Sequence, residues 1–404
     1  MRILMLTQYF YPENGAAQVR LLEVAKAIKE HGHDIEVVTA FPNYPSGVIP
    51  AEYQGKFFMK DSHAQIPIYR TWIYPVQRGK IWKRLLNYFS FVFSAFYGVV
   101  KAGKADYIFV ESPPLFIGFT VFFAKWVKGA KVILNISDLW PESAVSLGLV
   151  TNRSVIALTE RLERSMYKTA WRISAQTEGI IKSLKDRGIP ETKLVFLPNG
   201  VNPDLFAPQA PDKALQQKLK LKNKFVILYA GTMGYAHGLE VALQAAKKLE
   251  NVAPEVVFLL VGDGSEKPRL QTMAQELQLA NVRWVDFQPI TEMKRYYSLA
   301  SLTLSTLRRY KLSEGVRPSK VFPGLASAKP LIYVGEGEGA KIVVDSGGGI
   351  VLPPEEPELL AQAILELKKD PERCRKMGKL GREFVSLHYS WSSIVARWLG
   401  DLGL

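Results

Sequence analysis

Apolar and polar residues follow one another in an ordered way at the start of the chain. Residues 2–7 are an apolar run, and residues 9–15 are rich in turn formers. Apolar residues then recur at helical spacing over 16–30, and a second apolar run follows at 34–39. The order strand, loop, helix, strand is typical of a parallel α/β unit.

The same order returns in the second half of the chain. Residues 225–230 (FVILYA) predict a buried strand, and the three glycines within 231–238 predict a loop. A helical repeat over 239–249 and an apolar run at 256–261 complete the unit. We therefore predict two doubly wound α/β domains that face a cleft, with ligand-facing loops at the carboxyl ends of the strands.

Further short apolar runs predict the other strands. They lie at 107–110, 131–136, 172–175, 194–197, 283–286, 302–305 and 331–334. Turn-forming and charged residues predict an interdomain linker at 199–223. Residues 391–399 predict an amphipathic helix at the end of the chain.

Two aromatic-rich runs, 85–100 and 115–127, are too short to cross a bilayer, which takes about 20 helical residues. We predict that the second run is a buried helix. The first run leaves two interpretations open: a core helix, or an apolar face that rests on anionic lipid beside a basic cluster. The cations directly before it are Arg78, Lys80, Lys83 and Arg84.

Composition limits the class of protein. A chain of 404 residues exceeds one ordinary core, and 48% apolar with 22% charged residues is typical of a folded globular protein. The single cysteine, Cys374, excludes an internal disulfide framework and fits a reducing compartment. Because the first residues predict a strand rather than a signal peptide, we expect a cytoplasmic protein.

The formal net charge of +14 favours anionic partners. No zinc-finger spacing, RNA-binding motif or long run of Lys and Arg is present, so we expect no nucleic acid as a partner. A membrane surface and phosphorylated small molecules remain as the expected partners.

The glycine loop at 231–238 is a candidate phosphate site. A helix that begins after such a loop presents backbone N–H groups and partial positive charge, and glycines let a phosphate come close. A tight turn without a ligand is the alternative. The motif VGDGSEKPRL at 261–270 lacks the third glycine of a dinucleotide fingerprint, and no Walker sequence occurs. No Asp-x-Asp pair or His/Cys cluster indicates a catalytic metal.

Two cations in the segment GVRPSKVF, residues 315–322, form a second candidate site. Arg317 and Lys320 lie three residues apart around Pro318 and Ser319, which commonly begin helices. At a helix start that faces the cleft they would supply two fixed positive charges, which suit a diphosphate leaving group. A pair of ordinary solvated side chains is the alternative.

Two loops of the first domain are candidates for an acceptor site. The loops 137–143 (SDLWPES) and 41–47 (FPNYPSG) follow predicted strands, and such loops face the ligand crevice in open α/β sheets. Their candidate side chains are Asp138, Trp140, Glu142, Asn43 and Tyr44. The alternatives are a helix cap for Asp138, a core anchor for Trp140 and a plain turn for the second loop.

Taken together, these stretches resemble the bacterial family-4 retaining glycosyltransferases of the GT-B fold. They are most similar to amino-sugar transferases of O-antigen and capsule assembly that resemble N-acetylfucosamine transferases. The matching segments run in order over nearly the whole chain: YFYPENGAA (9–17), HGHDIEVVTAFPNYPSG (31–47), ESPPL (111–115), SDLWPES (137–143), LPNGVNPDLF (197–206), YAGTMGYAHGLE (229–240), VGDG (261–264), VRPSK (316–320) and ASAKPLIY (326–333).

The resemblance implies a retaining, metal-independent transferase without a cofactor. Its donor would be a nucleoside diphosphate sugar, first of all a UDP-linked N-acetylated amino or deoxy sugar. The implied catalytic set is Arg317 and Lys320, with Asp138 as a contact of the acceptor or the donor sugar. The implied donor-binding residues are Gly15, Gly231, Thr232, Gly234, His237, Gly262, Glu314, Ser319 and Glu338. The implied acceptor-binding residues are Asn43, Tyr44, Trp140 and Glu142.

The chain also departs from the broader family pattern. Many members have Arg and Lys where this chain has Thr232 and His237, so the cationic role falls to Arg317 and Lys320. Two paired glutamates of the family would fall at Gly315 and Pro323. Candidates to replace them are Glu314 for the first, and Glu336 or Glu338 for the second.

We accordingly predict an acceptor half that comprises 1–205 and a C-terminal helix, 386–404, which packs back on it. The donor half is 206–385. The favoured acceptor is a polyprenyl-diphosphate-linked saccharide of cell-surface polysaccharide synthesis, with peripheral contact to the anionic inner face of the cell membrane. A UDP-sugar 2-epimerase and a non-catalytic nucleotide-sugar-binding protein are the alternatives.

Overall fold

The computed structural model of the protein divides into two compact units. Unit 1 comprises Met1–Pro198 and Trp391–Leu404, and unit 2 comprises Asn199–Ser390. The predicted boundaries, after residues 205 and 385, lie a few residues from these. The described residues are 1–13, 15–44, 46–76, 81–142, 145, 150–309, 315 and 317–404.

The described residues of unit 1 form an eight-stranded sheet in the order β3-β4-β2-β1-β5-β6-β7-β8. All neighbours pair in parallel except β3 and β4. The strands are β1 (Arg2–Leu6), β2 (Asp34–Ala40), β3 (Phe58–His63), β4 (Ile66–Thr71), β5 (Tyr107–Ser112), β6 (Lys131–Ile136), β7 (Arg172–Ala175) and β8 (Leu194–Phe196). The helices are α1 (Ala16–Glu30), α2 (Ile81–Lys101), α3 (Gly118–Lys128), α4 (Arg153–Thr169) and α5 (Glu178–Asp186).

The described residues of unit 2 form a six-stranded, fully parallel sheet in the order β11-β10-β9-β12-β13-β14. Its strands are β9 (Phe225–Ala230), β10 (Val256–Val261), β11 (Val282–Val285), β12 (Leu302–Thr306), β13 (Leu331–Val334) and β14 (Gly349–Leu352). Its helices are α6 (Lys213–Lys218), α7 (Glu240–Leu249), α8 (Lys267–Glu276), α9 (Ile290–Leu299), α10 (Val321–Ala326), α11 (Glu338–Ser346), α12 (Pro357–Lys369) and α13 (Pro371–His388). The prediction of two doubly wound α/β domains is confirmed.

The central strands are mostly apolar because helices cover both faces of each sheet. In β10, the run VVFLLV is buried at every position. Residues of β1, β5 and β6 are buried in the same way beside apolar side chains of the flanking helices. These strands are therefore predicted from continuous apolar runs rather than from an alternation of apolar and polar residues.

The last helix, α14 (Trp391–Leu402), belongs to unit 1 and packs on α1. Trp398 is fully buried, and its ring Nε1 donates to Ser174 Oγ at 2.8 Å. Its ring also meets Phe109 edge-on at 5.7 Å. Burial of a whole Trp side chain with its N–H satisfied anchors the helix to the sheet.

Two features of the chain differ from the sequence-based expectation. The predicted linker, 199–223, is a packed part of unit 2, because Leu215 of α6 and Leu221 are buried in its core. In addition, β3 and β4 form an antiparallel hairpin that periodicity did not predict. Its outer strand, with the sequence FMKDSH, is largely polar and has no fully buried residue.

Helix α2 is 21 residues long, whereas the apolar run predicts only 85–100. One face lies in the core through Phe91, Ala95 and Val99, while Phe93 on the other face is 65% exposed. One face of the helix therefore lies in the core, as the first interpretation predicts, and the other is exposed, so that contact of this face with lipid stays a prediction. No helix in the described part of the chain is long and apolar enough to cross a bilayer.

Candidate functional site

The glycine loop of unit 2 lies where the strand order of the sheet reverses. β9 has β10 on one side and β12 on the other, so the loops that follow these strands share one edge. Ligands of open α/β sheets bind at such a switch point, outside the carboxyl ends of the strands. Residues 231–238, 262–266 and 307–309 all lie at this edge.

Two glycines let the loops after β9 and β10 touch. Gly231 and Gly262 have φ of +142° and +144°, a region that side chains rarely adopt. A Cβ atom on Gly262 would lie 2.0 Å from the carbonyl oxygen of Gly231. Lys267 supports the second loop from behind, since its Nζ donates to the Gly262 carbonyl at 3.0 Å and to Asp286 at 2.5 Å.

The loop after β9 continues as a short 3-10 turn at Tyr235–His237, which is held to the end of β12. Thr306 Oγ1 donates to the His237 carbonyl, and the Arg308 backbone N–H donates to the Ala236 carbonyl at 2.9 Å. The Arg308 guanidinium lies 4.4 Å from the Tyr235 ring. Helix α7 then begins at Glu240, whose carboxylate pairs with Arg308.

Lys320 lies against the glycine loop. A Cβ on Gly231 would be 2.6 Å from Lys320 Cε, and Lys320 Nζ lies 5.5 Å from the centre of the Tyr229 ring. The ammonium nitrogen is 3.1 Å from Nε2 and 3.4 Å from Nδ1 of His237. Burial lowers the pKa of Lys320 to about 7. Burial and the nearby Lys320 charge lower the pKa of His237 to about 3, so the imidazole is neutral at pH 7.

Arg317 is buried, with an exposed fraction of 7%, and forms an ion pair with Glu338. Its Nη2 lies 2.9 Å from Glu338 Oε2, and its Nε donates to the same oxygen at 3.2 Å. Its guanidinium also lies 5.7 Å from the Tyr389 ring. Two predicted site residues are thus brought together, and the carboxylate holds the cation in place.

The other predicted donor-binding residues occupy varied positions. Thr232 and Ser319 are exposed, and Gly234 is half-buried directly before the 3-10 turn. Glu336, the other candidate carboxylate, is paired with Arg309 at 2.8 Å. Pro323 is the third residue of α10, where a missing backbone N–H is tolerated. Glu314, together with Arg78 and Lys80 of the basic cluster, lies outside the described residues.

At the corresponding edge of unit 1, the loop before α1 is organised by Glu13. Gly15 directly precedes α1, as predicted, and the helix has no acidic residue in its first turn. The Glu13 carboxylate accepts the backbone N–H groups of Asn43 and Tyr44, both at 2.8 Å. It also accepts from Gln18 Nε2 at 3.3 Å. Burial raises the pKa of Glu13 above its ordinary value, although these hydrogen bonds oppose the shift.

The two predicted acceptor residues of the next loop differ in exposure. Asn43 is 6% exposed, donates to the Phe41 carbonyl at 3.1 Å and accepts from Asn87 of α2 at 3.4 Å. It therefore holds the loop. Tyr44 is 45% exposed, and its ring meets Tyr9 edge-on at 6.0 Å. Tyr44 is the side chain of the pair that a ligand can reach.

The loop after β6 carries Asp138, Trp140 and Glu142. Asp138 is exposed, whereas Trp140 packs edge-on against Phe116 at 6.0 Å and lies against the core, as its core-anchor interpretation predicts. Glu142 pairs with Arg187. Beside this pair is a cavity of about 810 Å³, lined by Glu142, Ile156, Glu163, Tyr167, Arg187 and Lys193 among the described residues.

A buried polar cluster beneath the edge was not predicted. Arg20 of α1 pairs with Glu111 at the end of β5, and Asn135 of β6 donates to the same carboxylate at 2.6 Å. All three residues are less than 7% exposed. Polar residues at the last positions of apolar strands are the sequence signal that could have indicated it. Glu13, between a proline and a glycine in a buried loop, offered a weaker signal.

The described residues contain no group of three or more His, Cys, Asp or Glu side chains placed to hold a metal ion. Positive charge at the edge of unit 2 comes instead from side chains. Lys320, Arg317 and Arg308 supply it within the described residues, next to backbone opened by glycines. Such an arrangement can bind an anion close to the backbone.

Comparison with known protein families finds a glycosyltransferase domain in each half of the chain. Residues 15–200 match the model of the glycosyl transferase 4-like domain, and residues 211–384 match that of glycosyl transferases group 1. WcaI of Escherichia coli, assigned as a glycosyl transferase of colanic acid biosynthesis, is 25% identical over 100% of both chains. WbjE of Pseudomonas aeruginosa, assigned as a glycosyltransferase, is 27% identical over 68% of this chain and 70% of its own.

Among solved structures, Alr3699/HepE of Anabaena in complex with UDP-glucose superposes with a TM-score of 0.73 at 16% identity, over 100% of this chain and 99% of that one. This likeness confirms the GT-B fold. The matches favour a transferase over the 2-epimerase alternative, which is an isomerase. With a glycosyl transferase 4-like domain followed by a group 1 domain, and homology to WcaI over its full length, the chain is a group 1 family glycosyltransferase related to enzymes of polysaccharide biosynthesis.

Proposed function

We propose that the protein is a retaining glycosyltransferase that moves a sugar from a nucleoside diphosphate donor to a lipid-linked saccharide. The observation that carries the proposal is the edge of unit 2, where Lys320 lies against Gly231 at the switch point of the sheet. UDP is the first donor nucleotide to test, because the structural neighbour from Anabaena binds UDP-glucose. By its resemblance, an N-acetylated amino or deoxy sugar is the first sugar to test.

The donor diphosphate would lie over the glycine loop. Gly231 and Gly262 leave room for phosphate oxygens beside the backbone, and Lys320 and Arg317 provide the positive charge. Breaking the glycosidic bond puts negative charge on the leaving diphosphate and positive charge on the sugar ring. Cations that are already held in place stabilise the leaving group without reorganising. This role of side-chain cations makes a metal ion unnecessary in the proposed reaction.

Retention would follow from attack on the same face that the diphosphate leaves. The acceptor hydroxyl oxygen forms the new bond to the anomeric carbon while the bond from that carbon to the phosphate oxygen breaks. The hydroxyl proton passes to the departing phosphate, so no separate base is required. Asp138, which is exposed after β6, would then contact the acceptor or the donor sugar rather than abstract the proton.

The acceptor would bind in unit 1 at the loops that follow β1, β2 and β6. Tyr44 and Asp138 are exposed there, and Glu13 keeps the loop of Tyr44 next to the start of α1. Trp140 and Asn43 would shape the site from within the protein. A lipid-linked acceptor also needs a membrane surface, and helices α2 and α3 of unit 1 carry exposed aromatic side chains, among them Phe93 and Trp126, as well as exposed lysines. We therefore propose peripheral contact with the inner face of the cell membrane.

Thermal unfolding with nucleotides tests the donor site. UDP, GDP or dTDP at about 100 times its dissociation constant stabilises the native protein by about 2.7 kcal/mol. We expect one of them to raise the melting temperature equally with Mg²⁺ and with EDTA, and NAD to leave it unchanged. Lys320→Ala should lose most of this shift. Lys341→Ala, at an exposed lysine of α11, is the matched control.

No shift with any nucleoside diphosphate would refute the donor site. A shift that requires Mg²⁺ would refute the metal-independent part of the proposal and leave the nucleotide site standing. A full shift in Lys320→Ala would show that the phosphates lie elsewhere.

A further inference from the structure

His237 contacts the cation on which the proposed donor site depends. The structure brings the imidazole of His237 to 3.1 Å from Lys320 Nζ. An ammonium group can only donate hydrogen bonds, so the ring nitrogen that faces it must be unprotonated. The carbonyl of the same residue accepts from Thr306 Oγ1, which fixes the backbone of the turn. The backbone of His237 is therefore fixed, and its unprotonated ring nitrogen can accept a hydrogen bond from Lys320.

Among the described residues, none of the salt bridges joins a carboxylate to Lys320. Two carboxylates of the described residues near this edge are paired with arginines: Glu240 with Arg308 and Glu338 with Arg317. A third, Asp263, accepts from the Gly264 backbone N–H at 2.8 Å. The other described groups that face Lys320 are Tyr229, the Gly231 backbone and His237. Burial raises the pKa of the Tyr229 phenol and lowers that of the His237 imidazole, so both side chains are neutral at pH 7.

Burial disfavours the charged form of Lys320 and lowers its pKa to about 7. A diphosphate placed over Gly231 would bring negative charge to within a few ångströms of Nζ. Opposite charge at that distance favours the protonated form, so the pKa of Lys320 rises when the ligand binds. Above pH 7 the Lys320 amino group of the free protein is mostly unprotonated, so binding of the diphosphate is coupled to the uptake of a proton by this group.

We propose that His237 is a positioning residue, which holds the Lys320 amino group beside Gly231 and thereby makes nucleoside diphosphate binding depend on the uptake of one proton at Lys320. This inference rests on the proposed function, because it requires a diphosphate at the glycine loop. A neutral imidazole can orient the Lys320 amino group by accepting a hydrogen bond from it, without repelling its charge.

Titration calorimetry tests the inference directly. The best binder among UDP, GDP and dTDP is titrated at pH 8 in two buffers of different ionisation enthalpy. The difference in heat gives the protons taken up, and the nucleotide itself is fully ionised at this pH. We expect uptake close to one proton, and an affinity that falls about tenfold per pH unit between pH 7.5 and 8.5. Lys320→Arg should bind without uptake, because a guanidinium stays charged.

Variants of His237 separate positioning from a merely structural role. In His237→Ala the amino group can move towards water, so the fall in affinity should begin at a higher pH and the uptake at pH 8 should shrink. His237→Gln offers an amide oxygen near the place of the ring nitrogen, so it should restore the wild-type pH profile.

Several results would overturn the inference. Nucleotide binding by the wild type without proton uptake would do so. A His237→Ala variant that binds more weakly by the same factor at every pH, with unchanged uptake, would also do so. Absence of binding by all three nucleotides at any pH would instead refute the proposed function, and this inference with it.

Discussion

At the scale of single residues, buried carboxylates organise the edge of unit 1. Glu13 accepts two backbone N–H groups and a side-chain amide, and Glu111 accepts from Arg20 and Asn135. Most buried polar groups in native proteins have such hydrogen-bond partners. Buried carboxylates of the protein itself consequently hold the candidate ligand-binding loops of unit 1 in place.

Glu13 offers a test of this arrangement. Its pKa is raised in the folded state, so its contribution favours folding below the ordinary value and is lost as pH rises through the folded value. Glu13→Gln keeps an oxygen acceptor and removes the buried charge, so it should melt no lower than the wild type at pH 8, with a smaller difference at pH 5. Glu13→Ala orphans two buried donors and should cost about 1–3 kcal/mol.

Melting curves of both variants at pH 5 and pH 8 provide the measurement. A Glu13→Gln protein that melts well below the wild type at pH 8 would contradict this account of the carboxylate. A Glu13→Ala protein of unchanged stability would show that the loop at Asn43 does not depend on it.

At the scale of elements, α2 and α3 together present an aromatic face to solvent. Phe93, Phe96, Phe123 and Trp126 contact one another in sequence, with centroid separations of 6.1, 4.6 and 6.3 Å. The two ends of this row are 65% and 81% exposed. The exposed cations of these two helices are Lys83, Arg84, Lys101 and Lys125, and Lys128 is partly exposed. Aromatic rings beside lysines suit the interface of an anionic bilayer.

We expect the wild type to float with liposomes that contain anionic lipid, and less so as salt is raised. Phe93→Ser with Trp126→Ser should abolish flotation without changing the melting temperature by more than a few degrees, since both side chains are exposed. Leu387→Ser, at a residue of α13 in unit 2 that is 66% exposed, is the control. Flotation of the double variant equal to that of the wild type would refute this membrane face.

Much of the element order could be predicted because fully buried parallel strands are continuous apolar runs. Strands such as β9, β10 and β13 have the predicted bounds. The edge hairpin could not be predicted in this way, since β3 is largely polar and its pairing with β4 depends on tertiary contacts. The linker was misjudged for a similar reason, because its buried leucines, Leu215 and Leu221, are scattered among polar and charged residues.

The position of the glycine loop in the candidate site could be predicted from the sequence, but the contacts between its side chains could not. The glycine loop required only a strand followed by glycines. The contact of His237 with Lys320, 83 residues apart, and that of Arg317 with Glu338 depend on how the strands are ordered in the sheet. Local sequence patterns do not encode such distant contacts.

At the scale of the whole molecule, two parallel-sheet units divide the proposed work. Unit 2 offers glycines and cations suited to a donor diphosphate, and unit 1 offers exposed side chains at strand ends and an aromatic face suited to a lipid-linked acceptor. Each unit matches its own glycosyltransferase domain model. The central claim is that together they transfer a sugar, rather than bind or isomerise it.

Incubation of the protein with radiolabelled nucleotide sugars and bacterial polyprenyl-linked saccharides tests that claim most directly. After solvent extraction, we expect label from one donor to appear in the lipid phase, with its anomeric configuration retained, and Lys320→Ala to transfer at least tenfold less. A donor that binds while all label stays in the aqueous phase would contradict transfer to a lipid. Label recovered as the 2-epimer of the donor sugar would show an isomerase instead.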